Sequence, residues 1–262
     1  MIAKREVRHP LAEGVTLAAL VRPGMKICLV FPHGLGDVVM FLPVLHKVRR
    51  TWPGTLFHLM TKKGLEELQD ADESIEYDLA FHLDYYMTTA STDDTKTTLC
   101  CKYELGIEPP LDEMPIAPKG FRSPWVGIGC TSLCNGAMWA PSAYETKELN
   151  DGVVEAGFIP VDLAMACYGR PFEERSPMAC DLRRIPGTYA KLAGVIERCY
   201  AFIGTFTGSY HVAQALLPGR NLLLCPRAGE WRRLYRRAPV HINMRDITKA
   251  RIKEWLLSLP ET

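Results

Sequence analysis

Apolar positions along the chain change spacing in a regular way. KICLVF (26–31) is almost continuously apolar, the mark of a strand buried on both faces. Past Gly34 and Gly36, DVVMFLPVLHKVRRTW (37–52) places apolar residues at helical spacing and ends basic. Pro43 should kink that helix or restart it as a first-turn proline. TLFHLMT (55–61) reads as a second strand, KGLEELQDA (63–71) as a short helix, and YDLAFHL (77–83) as a third strand. Strand and helix alternating in this way predict an α/β chain with a parallel, doubly wound sheet.

The polar stretch beginning DYYMTTASTDD turns helix-like towards ELGI (104–107). EPPLDEMPIAPKGFRSP (108–124) then holds five prolines and little periodicity, the best linker candidate. A second cycle follows. WVGIGC (125–130) is a strand. A helix spans about Ser142 to Ala156, with Gly157 suited to its C-terminal cap. IPVDLAMA (159–166) contains a strand, GTYAKLAGVIERC (187–199) is helical, AFIGTF (201–206) is a strand, GSYHVAQALL (208–217) a helix, and NLLLCP (221–226) a strand. DITKARIKEWLLSL (246–259) closes the chain as a helix, with Asp246 placed to cap it or favour its first turn. Four parts are expected: an extension over 1–24, an α/β domain over 25–115, a second over 116–245, and a C-terminal helix over 246–262.

Composition narrows the function classes. The 262 residues are 47% hydrophobic and 23% charged, with a formal net charge of +1. That is ordinary globular material, and no global charge argues for nucleic acid or a membrane surface. The nine cysteines are odd in number and scattered without a C-x-x-C, which argues against a disulfide framework or a zinc finger and for reduced thiols in cytosol. Cys130 and Cys134 have no partner pair at metal-ligand spacing, so no metal is expected. No apolar run approaches the ~18 residues of a spanning helix, and the N-terminus lacks the apolar core of a secretory signal.

The chemistry concentrates at two strand-to-helix turns. In the first, Gly34-Leu35-Gly36-Asp37 lacks the third glycine of a dinucleotide fingerprint, and the next strand ends in Thr61, Lys62 and Lys63 with no acidic residue for a ribose. Asp37 would repel a phosphate there. Two roles remain open: a carboxylate complementing the helix dipole, worth about 0.3–1 kcal/mol, or a general base beyond the carboxyl ends of the strands. In the second turn, Thr205, Thr207, Gly208 and Ser209 put hydroxyls and N–H groups at a helix start. They suit either a diphosphate cradle or an N-cap cluster. His211, in the first turn, is a neutral ligand contact or a packed histidine.

Together these stretches resemble a known family. MKICLVFPHGLGDVVMFLPVLHKVRRTWPGTLFHLMT is similar to the opening of the heptosyltransferase-like glycosyltransferases, glycosyltransferase family 9. LAGVIERCYAFIGTFTGSYHVAQAL resembles their Thr-Gly block, and WVGIGCTS…MWAPSAYETKEL the opening of their nucleotide-binding half. The resemblance runs over about residues 25 to 245. It implies a GT-B fold, two Rossmann-like domains facing across a cleft, and an inverting, metal-independent transfer of a sugar from a nucleotide-diphosphate sugar to an acceptor hydroxyl. It makes Asp37 the general base, with His33, Gly34 and Gly36 on the acceptor. It puts Thr131, Ser132, Trp139, Thr205, Phe206, Thr207, Gly208, Ser209, His211 and Arg227 around the donor. No cofactor beyond the donor substrate is implied.

Two departures stand out. Phe206 occupies the place of the family's sugar-contacting Asp, and Ala137 and Met138 stand where a phosphate-binding Lys usually precedes the tryptophan. PRAGEWRRLYRRAP (226–239) carries Arg227, Arg232, Arg233, Arg236 and Arg237 with Trp231 and Tyr235. It reads as a diphosphate clamp, a nucleic-acid contact or a solvated basic face. The expected acceptor is a glycan, with a DNA base or a protein as alternatives. The expected place is the cytoplasm, including the inner face of a membrane. The reading from another class is a non-catalytic nucleotide- or sugar-binding module. A dinucleotide oxidoreductase comes third, because the fingerprint is incomplete in both halves.

Overall fold

The structure is a computed structural model that describes residues 2–63, 65–72, 74–84, 95–110, 123–130, 141–163, 180–181, 189–226 and 239–260. They group into two compact units, the first up to residue 110 and the second from residue 123.

In the first unit, β3 (Lys26–Phe31) is buried at every position after Lys26. A continuous apolar run suits that place, because parallel neighbours bond both its edges: β4 (Leu56–Thr61) on one side and β6 (Leu79–His82) on the other. Beyond β6 lies β2 (Glu6–Val7), so the order is β2-β6-β3-β4, parallel throughout. A separate parallel pair joins β1 (Ile2–Ala3) to β5 (Glu76–Tyr77). Within the span expected as an extension, residues 2–24 supply β1, β2 and two short helices, α1 (Pro10–Glu13) and α2 (Leu17–Leu20), and they bury Val7 and Leu17 completely.

The helix after β3, α3 (Leu35–Thr51), continues through Pro43 without restarting. Its buried Val38, Phe41, Leu45 and Val48 recur at three- and four-residue steps, and Phe41 stacks on Phe31 with centroids 4.5 Å apart. Each such side chain contributes about 1.5–3 kcal/mol on burial, so the stripe outweighs the ~3 kcal/mol of an internal proline. KGLEELQDA forms only a 3-10 turn at Glu66–Leu68. After residue 94, α4 (Lys96–Leu99) runs directly into a π-helical turn, Cys100–Leu105, and ends at Gly106 with φ 69°.

The second unit is one parallel sheet. Its strands are β7 (Trp125–Gly129), β8 (Ile159–Asp162), β9 (Cys180–Asp181), β10 (Ala201–Gly204), β11 (Asn221–Cys225) and β12 (His241–Asn243), in the order β12-β11-β10-β7-β8-β9. Counted from β7, that is the doubly wound 6-5-4-1-2-3 arrangement. Among the described residues, the helices that accompany it are α5 (Ala143–Glu155), α6 (Tyr189–Arg198), α7 (Gly208–Leu216) and α8 (Lys249–Ser258). A Ser142–Glu145 capping box starts α5, and Gly157, at φ 88°, closes its end by donating to Val154 O. The core gathers Val126, Ile128, Leu149, Val153, Ile203, Leu224, Ile252 and Leu256. Asp246 does not cap the last helix. Thr248 is in extended conformation and its side chain accepts from Arg251 N, while Asp246 lies in a preceding 3-10 turn, Met244–Asp246.

Candidate active site

Open α/β sheets bind ligands beyond the carboxyl ends of their strands, where the strand order reverses. In the first unit the chain goes from β3 to β4 on one side and later to β6 on the other, so the reversal lies between β3 and β6. The loops after these two strands meet there. His33 Nε2 lies 3.0 Å from Leu83 O. A carbonyl only accepts, so Nε2 carries the hydrogen. The imidazole also stands edge-on to Phe31, with centroids 4.5 Å apart. Burial is the main cause of a lowered His33 pKa, with smaller contributions from Lys96 and Lys62, while the Leu83 bond and the Asp37 charge oppose it. His33 is therefore a neutral, Nε2-protonated ring near pH 7.

Asp37 occupies the first turn of α3 and is buried. The helix N-cap is Gly34, which has no side chain to cap with. A Cβ on Gly34 would stand 3.5 Å from Asp37 Oδ2, an ordinary contact, so this turn brings the Gly34 backbone close to the carboxylate. Lys96, from the first turn of α4, brings its Nζ to 3.6 Å from Asp37 Oδ1. Burial lowers the Lys96 pKa, and the Asp37 carboxylate pulls it back up. The pair fixes a carboxylate at a defined place beside a partly desolvated ammonium.

In the second unit the reversal lies between β7 and β10. The turn after β10 is Thr205-Phe206-Thr207, and α7 starts at Gly208. Thr207 is the N-cap: its Oγ1 accepts from Tyr210 N at 3.3 Å, and it also lies 2.9 Å from Ser209 Oγ and 3.2 Å from Gly129 O. Thr205, Thr207, Ser209 and His211 are all buried, and Thr205 Oγ1 has no hydrogen-bond partner. The hydroxyls thus serve the cap and the packing, while Phe206 and Gly208 are partly exposed. Phe202 lies fully buried against the glycines of β7. A Cβ on Gly127 would meet its ring at 2.8 Å, and one on Gly129 would meet it at 2.6 Å and Ser209 Oγ at 2.5 Å. The Gly-x-Gly of WVGIG is there for this close packing.

His33, Gly34, Gly36 and Asp37 lie at the first turn, and Thr205, Phe206, Thr207, Gly208, Ser209 and His211 at the second. Thr131, Ser132, Trp139 and Arg227 lie outside the described residues, as do the other arginines of 226–239 and most of the 108–124 stretch. The sequence reading missed Lys96 and Glu104. Lys96 sits in a polar run with no periodicity to single it out. Glu104 had a signal: it falls in line with buried Cys100, Cys101 and Leu105 on one helix face, and a carboxylate there is out of place. Among the described residues, no group of three or more His, Cys, Asp and Glu is placed to hold a metal ion, and no helix is long and apolar enough to cross a membrane.

No family model and no curated protein matches the sequence. Solved structures do match in fold. The E. coli ADP-heptose LPS heptosyltransferase II superposes with a TM-score of 0.59 at 16% identity, over 89% of this chain and 98% of that one. The E. coli heptosyltransferase WaaC, solved with ADP-2-deoxy-2-fluoro heptose, gives 0.58 at 13% identity, over 89% and 99%. The iron-containing dodecameric glycosyltransferase TibC from enterotoxigenic E. coli H10407 gives 0.58 at 16%, over 84% of this chain and 64% of its own. The chain thus spans just under two thirds of the length of TibC. Its fold, two parallel α/β units, is that of the GT-B heptosyltransferases.

Proposed function

We propose that the chain is an inverting glycosyltransferase that uses a nucleotide-diphosphate sugar as donor and Asp37 as general base. The observation that carries this is the position of Asp37, buried at the strand-order reversal of the first unit. The Thr207–Gly208 helix start holds the corresponding position in the second. In this reading an acceptor hydroxyl attacks the anomeric carbon as its proton passes to a carboxylate oxygen of Asp37. The bond from that carbon to the diphosphate breaks with inversion. The departing negative charge is met by the N–H groups at the start of α7, as a helix N-terminus favours an anion. No metal ion is invoked for that step. Gly34 and the neutral His33 ring lie near the carboxylate, on the side proposed for the acceptor.

Lys96 has a definite part in this scheme. Its Nζ, 3.6 Å from Oδ1, holds the Asp37 carboxylate at a defined place. The solved structures of similar fold include heptosyltransferases bound to ADP-heptose or its analogue. An ADP-sugar is therefore the first donor to test, and a glycan hydroxyl the first acceptor. The proposed place of action is the cytoplasm.

A second reading rests on the same ion pair. If Lys96 holds Asp37 too firmly for it to accept a proton, the protein is a nucleotide- or sugar-binding module without turnover. Phe206 in place of an acidic residue favours that reading too. Calorimetry against ADP, UDP, GDP and CMP and their sugars tests what both readings share. One nucleotide class is expected to bind, and binding by none would contradict both. Turnover then separates them.

A further inference from the structure

Glu104 is the one carboxylate among the described residues that is fully shielded from solvent. It projects from the π-helical turn that continues α4, so it shares a helical run with Lys96. Its Oε2 accepts from Asp84 N at 2.6 Å, and its Oε1 has no hydrogen-bond partner. Asp84 N and Leu83 O belong to the same peptide plane. That plane receives Glu104 on its N–H side and the His33 Nε2–H on its C=O side. A hydrogen bond to one end of a peptide polarises the other.

We propose that Glu104 is a positioning residue for the Asp37 site: through the Leu83–Asp84 peptide it fixes the orientation and tautomer of His33. The inference rests on the reading of Asp37 as the catalytic base only for its bearing on turnover. The relay is a property of the first unit whatever the reaction. Burial is what makes this carboxyl sensitive. Together with the Asp84 carboxylate it pushes the Glu104 pKa up to about 8, with the Asp84 N–H bond opposing. Among the described residues, the buried Cys100 and Cys101 thiols lie on its own helical turn, and His9 stands beyond Asp84, with its Nδ1 3.6 Å from Asp84 Oδ1. Near pH 7 Glu104 is therefore protonated. Above pH 8 it is an anion, a stronger acceptor for Asp84 N–H, and Leu83 O becomes a stronger acceptor for His33.

The test is nitrogen-resolved NMR of the His33 ring across pH in the full chain, wild type against Glu104→Gln. Glutamine keeps an acceptor for Asp84 N–H, has nearly the same shape and cannot ionise, so this variant should fold. The expected result is an Nε2-protonated His33 in both proteins, with a second inflection of its ring shifts near pH 8 in the wild type alone. A wild-type ring without that inflection, or a variant that keeps it, would overturn the proposal. A second variant, Glu104→Leu, removes the acceptor altogether. Where it folds, it should lose the single tautomer and reduce kcat about ten- to a hundredfold, as a misplaced site does, with donor affinity unchanged. An unaltered tautomer in that variant would also overturn it. Should no donor be turned over by the wild type, the reading of the reaction fails while the NMR result still decides the role of Glu104.

Discussion

At Asp37 a buried carboxylate faces the half-buried Lys96 ammonium 3.6 Å away. Lys96→Met removes the ammonium that faces this carboxylate. If Asp37 is the base and the pair holds it in place, the variant should lower kcat/KM about ten- to a hundredfold, as a misplaced site does, with the donor still bound. An unchanged kcat/KM would detach Lys96 from the base. The residue scale was also where sequence reading was most uneven. Asp37 stood out because it follows two glycines at a strand-to-helix turn, a pattern complete within a few residues, whereas His33 came only with the family resemblance. Lys96 reaches Asp37 only because α4 packs on α3 in space, and nothing local in a polar stretch announces that. Glu104 was visible as an anomaly in an apolar helix face, but its partner on the β6 loop was not.

The elements tell a similar story with a different cause. Long, strongly periodic segments such as β3, α3, α5 and α7 emerged near their sequence-derived limits, because burial decides them. Short ones did not. β2 and β12 are two and three residues long, and their strand character comes from pairing with β6 and β11, not from their own pattern. Glycine roles at this scale can be tested in pairs. A Cβ at Gly204 would lie 2.7 Å from the carbonyl oxygen of Gly129, a backbone atom that cannot swing aside. Gly204→Ala should therefore cost about 1–3 kcal/mol, the range for overpacking. Gly194, inside α6, has nothing within 4 Å of its added Cβ. Gly194→Ala should stabilise by about 0.5–1 kcal/mol through helix propensity. Urea denaturation of the two variants side by side reads both signs, and equal effects would contradict the packing described for the second unit.

For the whole molecule, the alternation of strand and helix made a doubly wound parallel sheet legible. The strand order was not, since register between distant strands depends on contacts that no single segment encodes. That order is what places the sites at the two reversals. Stability should carry the mark of Glu104 as well. In the unfolded chain its carboxyl titrates near the ordinary 4.5, and in the folded one near 8. Between those values the folded state holds a proton that the unfolded state has lost, so raising pH favours unfolding. This group's contribution should weaken stability from about pH 4.5 to about pH 8 and then level off. Glu104→Gln should remove it, as seen in urea midpoints measured across that range. A wild-type pH dependence identical to that of the variant would contradict the burial of Glu104.

The most direct measurement is nucleotide release from a panel of ADP-, UDP-, GDP- and CMP-sugars, with and without glycan acceptors, comparing the wild type with Asp37→Asn. The expected result is release from one donor by the wild type, with the variant slowed by about two to four orders of magnitude, the range for loss of a general base, while still binding that donor. Undiminished release by Asp37→Asn, or a wild type that binds the donor and releases nothing with any acceptor, would contradict the role given to Asp37.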